Sequence, residues 1–290
     1  MAHDRAAFKK YIHQMIQDEW KEQGSTGLCQ LLERGREFQL ADVLTSGGAV
    51  LFPHAAIARC GHQTAAAVHA AIDSGADRVL AVGVLHALSD EMKAARVRVA
   101  QGSDPSQEEM WGIQRPGLEG HTQWESEFSL LHFQKLWETE IKRRKIKGPE
   151  LIMRYPYLAG GKPEQLPNMA ELQEIAKDAV VVTTADAFHH GIGYGDSTEK
   201  ALDPERGGLE LAKKRINEGL ALLQKGEYWK FNQHCVEAKS DGRDAGQVVR
   251  YLLGPLTGKI FDITYADTTA MYSAPPPTWV AAALVELRGA

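Results

Sequence analysis

The sequence predicts a single α/β domain in which helices cover both faces of a central sheet. Three observations carry this expectation. Short apolar runs of strand length alternate with longer helical stretches, the pattern of strands joined by helical crossovers. Runs such as Ala49–Phe52 and Arg78–Gly83 are apolar almost throughout, as in strands buried on both faces. No Pro/Gly/Ser-rich linker divides the 290 residues, a length that one large α/β domain can fill.

The elements follow in order. Residues 5–44 read as two amphipathic helices broken at Gln23-Gly24-Ser25, so residues 1–45 form an N-terminal helical extension to an α/β domain over 46–290. The strand Ala49–Phe52 leads into a small-residue helix, Gly61–Asp73. A second strand, Arg78–Gly83, runs on to Leu85-His86. Residues 88–120 are polar and contain Gly and Pro, and are expected to be a long irregular surface insertion. A helix from about Trp124 to Arg144 precedes a strand at Glu150–Tyr155 and the polar loop AGGKPEQLPN. The helix Met169–Lys177 leads into the strand Ala179–Thr184, which continues as ADAFHHG. Helices at Gly208–Gln224, Glu227–Lys239 and Asp244–Leu253 and strands at Lys259–Ala266 and Trp279–Leu287 complete the chain.

Composition narrows the function. A net charge of -5 with no long basic run disfavours nucleic acid and acidic membrane surfaces as partners. The three cysteines, Cys29, Cys60 and Cys235, are widely spaced and contain no CxxC, which disfavours a disulfide scaffold or zinc knuckle and suits a reducing compartment. The first twenty residues are charged throughout and no segment has the length of a membrane span, so a cytoplasmic location is expected.

Three apolar strands run into histidine: GAVLFPH at His54, RVLAVGVLH at His86, and VVVTTADAFHH at His189 and His190. In open α/β sheets ligands bind beyond the carboxyl ends of the strands, so these imidazoles could build one metal or acid/base site. A fourth element, SDGRDAGQVV, is a polar turn before an apolar helix. Asp241 or Asp244 could cap that helix. Alternatively the turn supplies the carboxylate of a His/His/carboxylate site, a set that leaves coordination positions open and suits non-haem Fe(II). Glu237, one helical turn earlier, competes for the same role.

An ordered set of motifs resembles the Memo family. PHAAIARCGHQTAAA is similar to the family's PHAGYxYSGxTAA, VGVLHA to LGPSHH, TTADAFHHG to SSDFCHWG, and SDGRDAG to CGRxPxG; RYPYLAGG matches a strand and loop between them. The Memo family shares its fold and metal-site geometry with class III extradiol ring-cleaving dioxygenases. The resemblance implies a mixed, mostly parallel central sheet with helices on both sides. It implies His54 and His86 as metal ligands, and Asp186 and His189 as residues of the same pocket. Asp241 falls where Memo proteins carry a cysteine ligand, which brings the set closer to the two-histidine, one-carboxylate set of the dioxygenases. The family's DEHSxExxLPF is loosely echoed by LEGHTQWESEFSLLHF; with a small insertion its histidine falls on His121, as a second acid/base residue, and without the insertion on Trp124. The GxWYP-like start of Memo proteins is replaced by the helical extension.

The function so implied is a non-haem Fe(II)-dependent oxygenase acting with dioxygen on a small catechol-like or nitrogen-containing chelating substrate. His54, His86 and Asp241 would hold Fe(II), or another divalent metal such as Zn(II). His189 would move protons, Asp186 would orient an imidazole or a substrate group, and Arg243 and His190 would bind substrate, Arg243 by pairing with a carboxylate. A Zn(II) hydrolase using the same pocket and a non-catalytic ligand- or peptide-binding protein are the alternatives, and a homo-oligomer is compatible with all three. His62, His69, His132 and His234 lie within helical patterns and are expected to be satisfied core or surface residues. Cys60 reads as structural, and Trp111, Trp124 and Tyr194 as core packing or pocket walls.

Overall fold

The computed structural model describes residues 5–117 and 124–290, with side chains from Lys10 onward. In chain order the helices are α1 (Arg5–Arg36), α2 (Ala41–Thr45), α3 (Ile57–Asp73), α4 (Asp90–Ala100), α5 (Leu131–Arg144), α6 (Met169–Lys177), α7 (Leu209–Gln224), α8 (Tyr228–Glu237), α9 (Arg243–Leu253) and α10 (Thr269–Tyr272). The strands are β1 (Ala49–Phe52), β2 (Arg78–Val82), β3 (Gly112–Gln114), β4 (Glu150–Tyr157), β5 (Val180–Thr184), β6 (Phe188–Gly191), β7 (Leu256–Asp267) and β8 (Thr278–Gly289).

The strands form one mixed sheet in the order β3-β4-β2-β5-β1-β8-β6, with β7 paired along β8. Its centre, β4-β2-β5-β1, is parallel, and the antiparallel pairings lie at the two sides. Successive residues of a strand point to opposite faces, and the central strands use both. Val50, Phe52, Val79, Ala81 and Val182 join a core with Leu32 of α1, Val68 of α3 and Leu136 of α5. Ala49, Leu80, Val82 and Val181 join a second core with Leu172 of α6, Ile216 of α7 and Val248 of α9. The non-alternating apolar runs therefore reflect a sheet covered on both faces, as expected.

Helix α1 is interrupted at Gly24 (φ 57°, ψ -173°), inside the predicted break. Such a positive φ is open to glycine at little cost. The N-terminal segment packs onto the α/β domain through Leu28, Leu31 and Leu32, which are buried in the first core. A Cβ on Gly35 would lie 2.6 Å from Ala65 and Ala66, so the small residues of α3 let α1 approach closely. A buried carboxylate reinforces the contact. Glu140 of α5 accepts hydrogen bonds from Arg36 of α1 and from Arg143 and Arg144, and lies 3.6 Å from His69 of α3.

Three segments differ from the sequence expectation. Residues 88–120 hold α4 and β3 rather than only irregular chain. Ser89 caps α4 by accepting the Met92 N–H, and Asp90 and Glu91 fill the first turn, where acidic groups are favourable. The predicted helix from Trp124 is α-helical only from Leu131, after a 3₁₀ turn at Trp124–Ser126. Finally, β5 ends at Thr184, and His189 and His190 lie on the separate strand β6, antiparallel to β8. No described helix is long and apolar enough to cross a membrane.

The packing of α1 makes a prediction. Leu32→Ala removes a fully buried side chain and should cost about 2–5 kcal/mol. Denaturant unfolding should show one cooperative transition shifted to lower denaturant. An unchanged main transition, with only the N-terminal helix lost early, would show that α1 folds apart from the sheet.

Candidate metal centre

The parallel strands deliver their carboxyl ends to one edge of the sheet, and the predicted ligands meet there. His54 follows β1 across Pro53, His86 lies four residues beyond β2, and Asp186 lies two beyond β5. Asp241 sits in the turn between α8 and α9. His54 Nε2 is 3.0 Å and His86 Nε2 3.5 Å from the same Asp241 oxygen, Oδ2. The two imidazoles are edge to face, with centroids 5.1 Å apart.

Hydrogen bonds on the far sides of the rings fix which nitrogen faces the site. The Thr184 hydroxyl donates its only hydrogen to the Phe52 carbonyl at 2.8 Å, so it must accept from His54 Nδ1–H at 3.0 Å. His86 Nδ1 is 3.2 Å from the Val84 carbonyl, which can only accept. Both Nδ1 atoms therefore carry hydrogens, and both Nε2 atoms face Asp241. Beside a carboxylate oxygen each Nε2 needs either a proton or a cation on its lone pair. Two outward-held imidazoles and one carboxylate are a fitting donor set for a divalent transition metal.

Buried carboxylates hold this arrangement. Asp241 Oδ1 accepts the Asp186 N–H at 2.9 Å, and Asp186 Oδ1 accepts the His54 N–H at 3.1 Å. Glu127, 7% exposed, accepts four backbone N–H groups: His86 (2.6 Å), Ala87 (3.1 Å), Phe128 (2.9 Å) and Ser129 (2.9 Å). It thereby ties the loop after β2 to the segment before α5.

The charges respond to one another. Burial alone would lower the His86 pKa, but hydrogen bonds to Asp241 and Glu127 outweigh it and raise it to about 9. For His54, burial is likewise outweighed by the negative charges of Asp186 and Asp241, and its pKa is raised. Burial opposes ionisation of Asp241, yet the facing imidazoles hold its pKa well below the ordinary carboxylate value. These shifts favour a proton, in the metal-free protein, where a cation would sit.

The ligands open into a cavity of about 370 Å³. Its polar wall adds Asp186 and His189, and its apolar wall includes Ile12, Met15 and Ile16 of α1 together with Phe128 and Met271. Phe128 packs against the His86 ring, with centroids 4.2 Å apart. Tyr194 also lines the cavity and stands edge-on to His189 at 4.8 Å.

Other expected residues lie elsewhere. His190, expected to bind substrate, alternates with His189 along β6 and so points away. Its Nδ1 is 3.0 Å from Asp196 and its Nε2 accepts the Leu202 N–H, which commits both nitrogens to structure. Arg243, the other expected substrate-binding residue, is absent from the cavity wall; it is the first residue of α9, near Arg96, Asp244, Cys235 and Tyr157. Glu237 is exposed on α8 and does not compete with Asp241. Neither Asp241 nor Asp244 caps α9 through a side-chain bond, and Asp244 instead accepts the Ala159 N–H. His121 lies outside the described residues. Trp111 and Trp124 pack against the cores, and His62, His69 and His234 each have a structural partner; His132 accepts the Trp20 Nε1–H and, unlike these, also lines the cavity. Cys60 is buried, its thiol directed at the carbonyls of Ala55 and Ala56.

Sequence reading missed Glu127, Thr184 and the wall from α1. The Thr183-Thr184 pair at a strand end was the one available signal for Thr184. Glu127 lay hidden inside a predicted helix, and the periodicity of Ile12, Met15 and Ile16 marks an apolar face without naming what it covers. No protein-family model matches the chain, and no curated protein matches it.

Two results should follow. Metal-free protein should release protons as it binds Zn(II) near pH 7, and its affinity should rise as pH approaches 9, where His86 loses its proton unaided. Without metal, the His86 contribution to stability is full below about pH 6.5 and lost as pH rises through about 9. Calorimetry in buffers of different ionisation enthalpy measures the release; binding without proton release would contradict the assignment. In the same titration Asp241→Ala should lose the ion and Glu237→Ala should keep it.

Proposed function

We propose that the chain is a non-haem Fe(II)-dependent oxygenase that cleaves or oxidises a small chelating substrate, catechol-like or nitrogen-containing, with dioxygen. One observation carries this reading: two imidazoles with Nε2 turned inward share one carboxylate oxygen at the wall of a largely apolar cavity. Two histidines and one carboxylate, with positions left open, are the donor set of non-haem iron oxygenases. The likeness of the motifs to Memo proteins and ring-cleaving dioxygenases supports the same reading, with Asp241 in place of the Memo cysteine.

His54, His86 and Asp241 would hold the iron, which supplies redox chemistry and brings dioxygen and substrate together when bound. The protein's own groups do the rest. A ring nitrogen of His189, within 4.8 Å of oxygens of Asp186 and Asp241, takes a proton from a substrate hydroxyl and later returns it. Asp186 orients the site by holding the His54 amide. Tyr194 limits the tilt of the His189 ring. Phe128 covers His86, and the apolar side chains of α1 receive the body of a flat substrate and exclude water. The volume suits a one-ring molecule, since small-ligand sites begin at about 300 Å³.

Oxygen uptake by Fe(II)-loaded protein with catechols and aminophenols tests the reading. His189→Ala should retain iron and lose about 10²–10⁴ in turnover. Asp241→Cys should keep the fold and suppress uptake. Metal-dependent ligand binding with no uptake would instead identify a binding protein, and oxygen-independent hydrolysis with Zn(II) a hydrolase.

A further inference from the structure

Asp241 belongs to two groups of ligand atoms. Besides the set with His54 and His86, ligand atoms of Asp186, His189 and Asp241 all lie within 4.8 Å of one another. We infer that this second group binds a second divalent cation, with Asp241 bridging the two positions. The inference rests on reading His54, His86 and Asp241 as the first position.

Three observations support it. First, His189 Nδ1 is buried and has no hydrogen-bond partner among the described residues. Its neighbour His190 has both nitrogens engaged, by Asp196 and Leu202. Burying a polar atom without a partner is unfavourable, and His189 is the imidazole on this strand left short of one among the described residues.

Second, the two Asp241 oxygens face different neighbours. Oδ2 is the atom approached by His54 and His86, whereas Oδ1 takes the backbone N–H of Asp186. A carboxylate oxygen accepts at more than one lone pair, so Oδ1 can contact an ion while keeping that bond. Third, three carboxylates converge here: Asp186, Asp241 and Glu127. One dication offsets only part of the negative charge of these three carboxylates, and a second takes up the remainder.

The second ion occupies the imidazole that the reaction needs for proton transfer. It is therefore an inhibitory position, filled when divalent metal is in excess.

The test is equilibrium dialysis of the full chain against Co(II) alone, with metal quantification and the visible absorption of bound Co(II) as a second readout. Wild-type protein should reach two ions per chain in two steps. His189→Ala and Asp186→Asn should each stop at one, and His54→Ala should lose the tight ion. Asp186→Asn retains an acceptor for the His54 amide, which guards against misfolding as the explanation. If the wild type saturates at one ion that His54→Ala removes, the second position is wrong and the first stands. No binding at all overturns both. Two ions that persist in His189→Ala and Asp186→Asn place the second elsewhere and overturn the inference.

Discussion

The site depends on the approach of two imidazole nitrogens to one carboxylate oxygen of Asp241. Each nitrogen is held there from behind, His54 by Thr184 and His86 by the Val84 carbonyl, so neither ring can turn its N–H inward without losing a bond. The lone pairs and the carboxylate charge are left facing one another in a buried space. Protons can relieve that repulsion, and the raised pKa of both histidines reflects it. A divalent cation relieves it as well and leaves the rings in place.

The remaining fold serves to hold these groups at fixed distances. Parallel strands β1, β2 and β5 end together, and their burial on both faces leaves them little freedom to shift register. Asp241 arrives from the opposite layer, between α8 and α9, and is pinned to the β5 end by the Asp186 amide. Glu127 plays the matching part on the other side, gathering four N–H groups so that the loop after β2 is fixed where His86 leaves it. The site wall contributed by α1 means that the same helix stabilises the first core and shapes the cavity.

Much of this was legible in the sequence because it depends on period and position. Val79 to Val82 alternates between two cores, and a run apolar at every position announces that. The strand-end places of His54 and His86 were equally visible. The third strand-end pattern misled: VVVTTADAFHH reads as one strand, but the chain turns at Ala185–Ala187 and begins β6, so His189 and His190 alternate across a different strand. Arg243 follows Asp241 so closely that it looked like part of the same site, yet the start of α9 turns it toward Asp244 and Arg96. Glu127 could not be read at all, because its role comes from backbone amides in an irregular segment, and these leave no side-chain pattern. The Ser-Asp-Glu start of α4 is a capping signal that lies inside a polar stretch.

X-ray absorption of the protein carrying one equivalent of Fe(II) tests the central claim most directly. The account predicts a shell of nitrogen and oxygen atoms at about 2.0–2.2 Å, with the outer-shell scattering of two imidazoles, reduced to one in His86→Ala. A shell containing sulfur, or one without imidazole, would contradict it.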